Sequence, residues 1–192
     1  MALELKRLNT PNFVAEYNDR EVVVYQAFNN SIADYILKNN CYGGDFSFSR
    51  TSWIKTSFFW MMKRSNWATK KNQERVLRIH IDRNFFEILL DKAVPSAYSA
   101  DTGSIESWRK SLLASDIIIQ YDPDRDVFGN RLKRKAIQIG LRKGALLQYS
   151  KEKLISVEDI SDFVRKQYSY VRSKKYDLIK SPEERTYERC KP

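Results

Sequence analysis

Apolar residues fall into short blocks along this chain, and the spacing within each block alternates between strand-like and helix-like. Glu21-Val22-Val23-Val24-Tyr25-Gln26-Ala27-Phe28 is β-branched and aromatic, and so short and continuous an apolar run predicts a buried, central strand. Asn29-Asn30-Ser31 supplies N-cap chemistry for a helix in which Ile32, Ala33, Ile36 and Leu37 keep the 3.6-residue period, until Asn39-Asn40 and Gly43-Gly44 stop it. Thr51 to Lys55 reads as a short extended piece, Ser57 to Arg64 as one or two helical turns, and Ser65 to Glu74 as a loop. From Val76 to Ile81, Leu77, Ile79 and Ile81 alternate with Arg78 and His80, the signature of a strand with one buried face.

The second half continues in the same way. Phe85 to Ala93 and Ser104 to Ala114 read as helices, the latter capped by Ser104 and carrying Trp108, Leu112 and Leu113 on an apolar face, with Trp108 expected in the core. Ile117 to Tyr121 and Ala136 to Leu141 are strong strands, joined by a turn-rich stretch from Asp122 to Lys135. A short helix over Lys143 to Tyr149, a strand over Leu154 to Val157 and a helix from Asp159 to about Tyr170 complete the pattern. The sum is an α+β fold: one compact domain over 21–171, with a central, mostly antiparallel sheet, continuous or split, and flanking helices. Residues 1–20 read as an N-terminal arm and 172–192 as a charged C-terminal tail, expected to fray.

Composition narrows the classes. With 192 residues, 42% of them hydrophobic and 13% aromatic, the chain suits one folded domain and excludes disorder. Cys41, Cys190 and the single His80 support neither a disulfide framework nor a zinc site, so no metal is expected; His80 reads as structural. Phosphate-loop, dinucleotide, zincin and nucleophile-elbow motifs are all missing, and one histidine leaves little room for a Ser-His or Cys-His pair. No stretch approaches the ~18 residues of a membrane span, and the N-terminus has no apolar leader core, so a cytoplasmic or nuclear protein without a membrane partner is expected. The formal charge of +10 favours a polyanionic partner, nucleotide or nucleic acid, although surplus charge also serves solubility.

That charge is concentrated. Residues 46–78 hold Arg50, Lys55, Lys63, Arg64, Lys70, Lys71, Arg75 and Arg78 against Glu74 alone, a net +7, together with Trp53, Trp60 and Trp67 at intervals of seven. On one continuous helix the tryptophans would form a buried seam; the cap-forming pairs Thr51-Ser52, Thr56-Ser57 and Ser65-Asn66 interrupt such a helix, which leaves stacking on bases as the other reading. Arg50, Lys55, Arg64 and Arg75 lie embedded among apolar residues, as phosphate ligands would, whereas Lys70-Lys71 reads as loop surface. Asp122-Pro123-Asp124-Arg125-Asp126 alternates carboxylates as a calcium loop does. Val127 and Lys133 stand where that loop needs glycine and glutamate, so a capped turn is expected instead.

The block from Trp53-Ile54-Lys55 through Trp60-Met61-Met62, Trp67-Ala68-Thr69-Lys70 and Gln73-Glu74-Arg75, with Val23-Val24-Tyr25-Gln26-Ala27, Gln120-Tyr121-Asp122-Pro123-Asp124 and Ile137-Gln138-Ile139-Gly140-Leu141, resembles the domain-of-unknown-function family numbered 4291 over roughly residues 15–170. More distantly, the order of elements is similar to the split sheet of ADP-ribosyltransferase-like proteins, which bind NAD in a cleft. That resemblance implies NAD as cofactor, Gln26 at the nicotinamide ribose, Ser52 and Trp53 framing the nicotinamide, and Gln138 in the late-strand position. It departs from the pattern in having no glutamate on the closing strand and no histidine or arginine on the first strand. The expected catalytic set is therefore Gln26, Arg50, Ser52 and Gln138, and the expected substrate-binding set is Lys55, Arg64, Arg75, Trp53, Trp60 and Trp67. The alternative is a non-catalytic nucleic-acid-binding module in which Trp60 and Trp67 stack on bases.

Overall fold

The computed structural model describes residues 11–190; the first ten residues of the expected arm and the last two of the tail lie outside it. In chain order the elements are β1 (Val14–Ala15), β2 (Glu21–Phe28), α1 (Asn30–Asn39), β3 (Ser52–Lys55), α2 (Phe58–Ser65), β4 (Arg75–Asp82), α3 (Arg83–Lys92), β5 (Val94–Pro95), α4 (Ile105–Ala114), β6 (Ile117–Arg125), β7 (Arg131–Leu141), α5 (Lys143–Glu152), β8 (Leu154–Asp159), α6 (Ser161–Arg172) and β9 (Arg185–Thr186). Seven strands form one sheet in the order β5-β6-β7-β3-β2-β4-β8, while β1 and β9 pair separately. Every junction in the large sheet is antiparallel except β5–β6, which gives the α+β architecture predicted from the sequence pattern.

Alternation along β2 explains the layering. Val22 and Val24 belong to the larger core, packed with Ile36 of α1, Phe86 and Leu89 of α3 and Leu146 of α5. Val23 and Tyr25 point the other way, into a smaller core with Phe58, Met61 and Met62 of α2 and Val164 of α6. A strand that is apolar on both faces must be covered on both, and these helices cover it.

The sheet is continuous in connectivity but nearly divided between β2 and β3. β2 pairs with β4 along its whole length, from Glu21↔Asp82 to Phe28↔Arg75, and β3 pairs fully with β7, from Ser52↔Leu141 to Lys55↔Gln138. β2 and β3 share one residue pair, Tyr25↔Lys55. Beyond it the strands diverge, and side chains take over from the main-chain ladder.

Three expectations need correction. The stretch from Asp122 to Lys135 is mostly strand: β6 and β7 run on through a bulge at Pro123–Arg125, and the turn shrinks to Asp126–Asn130, where Asp126 accepts from the N–H groups of Phe128 and Asn130. The apolar face of α4 stays at the surface, with no residue of the helix buried and Leu113 76% exposed, because α4 lies along the sheet's edge at β5, where Trp108 is half-buried and donates to the Pro95 carbonyl, and Arg142 donates to the Leu112 carbonyl at its end. The tail is docked. β9 adds to β1, Tyr187 is buried with its ring stacked on Phe13, and Arg189 pairs with Glu87 and Asp91.

Candidate functional site

Where β2 and β3 part, a cavity of about 710 Å³ opens. Its floor is Gln26, 3% exposed, whose hydrogen-bonding capacity is fully engaged by the protein. Its Nε2 donates to Ser52 Oγ at 2.8 Å and to the Trp53 carbonyl at 3.2 Å, and its Oε1 accepts from Tyr149 at 2.9 Å and from Tyr42. Burial keeps both phenols protonated, their pKa values raised, so each remains a donor. Gln26 thus bridges the parted strands and fixes Ser52, whose own hydroxyl hydrogen is left for the cavity.

Lys55 is the unusual group. It is 7% exposed, its ammonium donates to the Trp53 carbonyl at 3.0 Å, and no carboxylate lies within ion-pair distance among the described residues. Burial first, and the positive charge of Arg64 second, push its pKa down from 10.5 to about 7. The sequence brings it there by alternation: Ile54 faces the large core, so Lys55 must face the other side of β3, directly across from Gln138.

Arg64 arrives from the last turn of α2. That helix starts at Ser57, which accepts from Trp60 N–H and donates to buried Asp124 at 2.6 Å, while Glu184 of the docked tail accepts from Phe58 N–H. It ends at Asn66, in the left-handed region, whose N–H bonds the Met62 carbonyl. Asn66, Trp67 and Ala68 have φ of 49°, 55° and 62°, a run that non-glycine residues adopt at a cost of about 1 kcal/mol each. This tight left-handed turn returns the chain so that Lys71, Asn72 and Gln73 reach the cavity rim. With Arg50 from the segment before β3, the lining holds four cations, Arg50, Lys55, Arg64 and Lys71, against one carboxylate, Asp45, which Ser31 already engages.

Of the residues expected to form the site, Gln26, Arg50, Ser52, Trp53, Lys55, Arg64 and Gln138 line this single cavity. Arg75, Trp60 and Trp67 do not. Arg75, the first residue of β4, is held by Asp34 of α1 at 2.8 Å and by Asp159 at the end of β8, so its charge is already matched. Trp60 is 6% exposed under Arg125. Trp67 stacks on Tyr168 and meets Phe58 and Phe59 edge-on in the smaller core. Their seven-residue spacing reflects no common helix, since Trp53 lies in β3, Trp60 in α2 and Trp67 in the left-handed turn.

The family model for a domain of unknown function (DUF4291) matches residues 12–187. The chain belongs to that family. The match reaches into the C-terminal segment, in line with the docking of β9 and Tyr187 in this DUF4291 domain. No curated protein matches the sequence. Among the described residues, no helix is long and apolar enough to cross a membrane.

Sequence reasoning missed Lys71 and Gln120, both of which line the cavity. Gln120 interrupts the apolar run of β6 as Gln138 interrupts β7, and the two pair directly across the ladder. Polar residues at matching depth in two apolar strands were a legible signal.

Proposed function

We propose that the cleft between β2 and β3 binds a phosphate-bearing nucleotide, and that the protein is a nucleotide-directed, cytoplasmic or nuclear enzyme. The observation that carries this reading is Lys55: a buried ammonium with no carboxylate within ion-pair distance among the described residues, beside three further cations, at a cavity large enough for a nucleotide. Burying an unpaired charge is unfavourable, and an arriving phosphate supplies the missing anion. Trp53 and Phe46 in the lining offer aromatic faces to a base.

The cation set and the cavity size fit a pyrophosphate such as that of NAD, with Arg50, Arg64 and Lys71 at the phosphates and Ser52 as a hydroxyl donor. The ADP-ribosyltransferase-like reading draws support from the near-division of the sheet and loses support at Gln138, where the closing strand carries no carboxylate. The reading kept is nucleotide binding, with NAD as one ligand to test. The nucleic-acid-module alternative is weakened by the burial of Trp60 and the packing of Trp67, which removes its stacking platforms.

The test is equilibrium binding of ADP, NAD and a single-stranded RNA to the full chain and to Arg50→Ala, Arg64→Ala and Arg75→Ala. Saturable nucleotide binding, weakened about tenfold or more by the first two changes and untouched by the third, supports the site. RNA binding with no nucleotide binding, or equal affinity in all four proteins, sinks it.

A further inference from the structure

The wall of the cleft facing Lys55 is built differently from its cationic rim. Gln138 lies directly opposite Lys55 on β7, and Gln120 directly opposite Gln138 on β6, so the three side chains form one row across a single face of the sheet. Both glutamines line the cavity, and Gln138 is only 5% exposed. Their amide orientation is set by Asp122: Gln120 Nε2 donates to one carboxylate oxygen at 3.3 Å, and Gln138 Nε2 donates to the other at 3.1 Å. A carboxylate only accepts, so each amide must turn its nitrogen toward Asp122. The carbonyl oxygens are then the ends left for the cavity, and no donor among the described residues bonds to either.

We propose that Gln120 and Gln138, with Asp122 as their positioning residue, form a subsite that accepts hydrogen bonds from an exocyclic N–H₂ group on a planar ring, so that the ligand carries phosphate at one end and an amino or carboxamide donor at the other. This rests on the nucleotide reading and sharpens it. Four cations alone would take any small polyanion, whereas two oriented acceptors select for a donor-bearing base. Cavities built to accept from a ligand N–H reject the analogue that lacks it, because the buried acceptors are then left unpaired. An amino group on a purine and a carboxamide on a pyridinium ring share this chemistry, and the probes separate them.

The experiment titrates the full chain with inorganic pyrophosphate and with two matched pairs: ADP against purine riboside diphosphate, which lacks the amino group, and NAD against its deamidated carboxylate analogue. The expected result is at least tenfold tighter binding of the donor-bearing member of one pair. In Asp122→Asn the side chain offers N–H donors as well as an acceptor, one glutamine amide must turn over, and that discrimination falls to less than threefold while pyrophosphate affinity stays within twofold. Gln120→Leu, which leaves Asp122 and Gln138 paired, is the second variant, and it lowers the same ratio without moving pyrophosphate affinity. A merely structural role for Asp122 would shift all ligands together. Equal affinity within both pairs while pyrophosphate still binds overturns the subsite and leaves the anion site standing. Failure of every probe, pyrophosphate included, overturns both.

Discussion

Replacing Lys55 with methionine separates what this residue does for stability from what it does for binding. In the folded chain its pKa is lowered to about 7, against 10.5 in the unfolded state, so the unfolded state binds more protons between those values. Stability therefore rises with pH through that window, and the full penalty applies below about pH 7. Lowering the pKa from 10.5 to about 7 corresponds to roughly 5 kcal/mol. Because Lys55 borders an open cavity, water screens the charge and the realised figure is smaller, roughly 2–3 kcal/mol. Methionine keeps the length of the side chain and removes the charge. At pH 6.5 the variant should be more stable than the native chain by that amount in urea denaturation, with the gain shrinking steadily toward pH 10. ADP affinity should fall by at least tenfold in the same protein. A Lys55→Met chain that is less stable at pH 6.5 and binds ADP normally would refute the reasoning, since Lys55 would then be a satisfied structural group.

Other consequences follow from the packing. Gln26→Leu leaves the hydroxyls of Tyr42, Tyr149 and Ser52 without their common partner and should lower stability by roughly 3 kcal/mol in chemical denaturation, so loss of ligand binding in this variant says nothing by itself about contact with the ligand. Tyr187→Ala should cost about 3 kcal/mol, because the ring is buried against Phe13 and Phe86; an unchanged melting temperature would mean that the C-terminal segment does not dock. Glu184 is pushed up to about 8, by burial first and by Asp124 and Glu16 among its neighbours, despite its bond to Phe58 N–H. A raised carboxylate pKa means that the folded state binds more protons, so its contribution is present below about pH 4.5 and lost as pH rises through 8. Thermal melts of Glu184→Gln should show a smaller loss of stability than the native chain across that interval.

Much of this fold was legible because the period of apolar positions is unambiguous where strands are buried on both faces: β2 and the helix starts at Asn29, Ser57 and Ser104 fall where the sequence pattern predicts. The turn-rich reading of Asp122 to Lys135 failed because Pro123 and the aspartates signal turns locally, while the long antiparallel ladder with β7 outweighs them and absorbs Pro123 at a bulge. The tail failed for a related reason. Its charged residues conceal Tyr187, one ring whose burial depends on Phe13 at the opposite end of the chain, a contact no local pattern reveals. In the candidate site, the embedded cations Lys55 and Arg64 were readable from their apolar neighbours. Arg75 looked the same in sequence, and only the fold brings Asp34 and Asp159 to it.

The central claim is that the cleft takes a phosphate onto the buried, unpaired Lys55. Calorimetry of ADP binding at pH 8, in buffers of different ionisation enthalpy, tests it most directly, because the phosphate, with a second pKa of about 6, is already fully ionised there. Lys55 is mostly neutral at that pH and must gain a proton when the anion raises its pKa. The account predicts uptake approaching one proton per ADP bound, absent in Lys55→Met. Binding with no proton uptake by the native chain would contradict it.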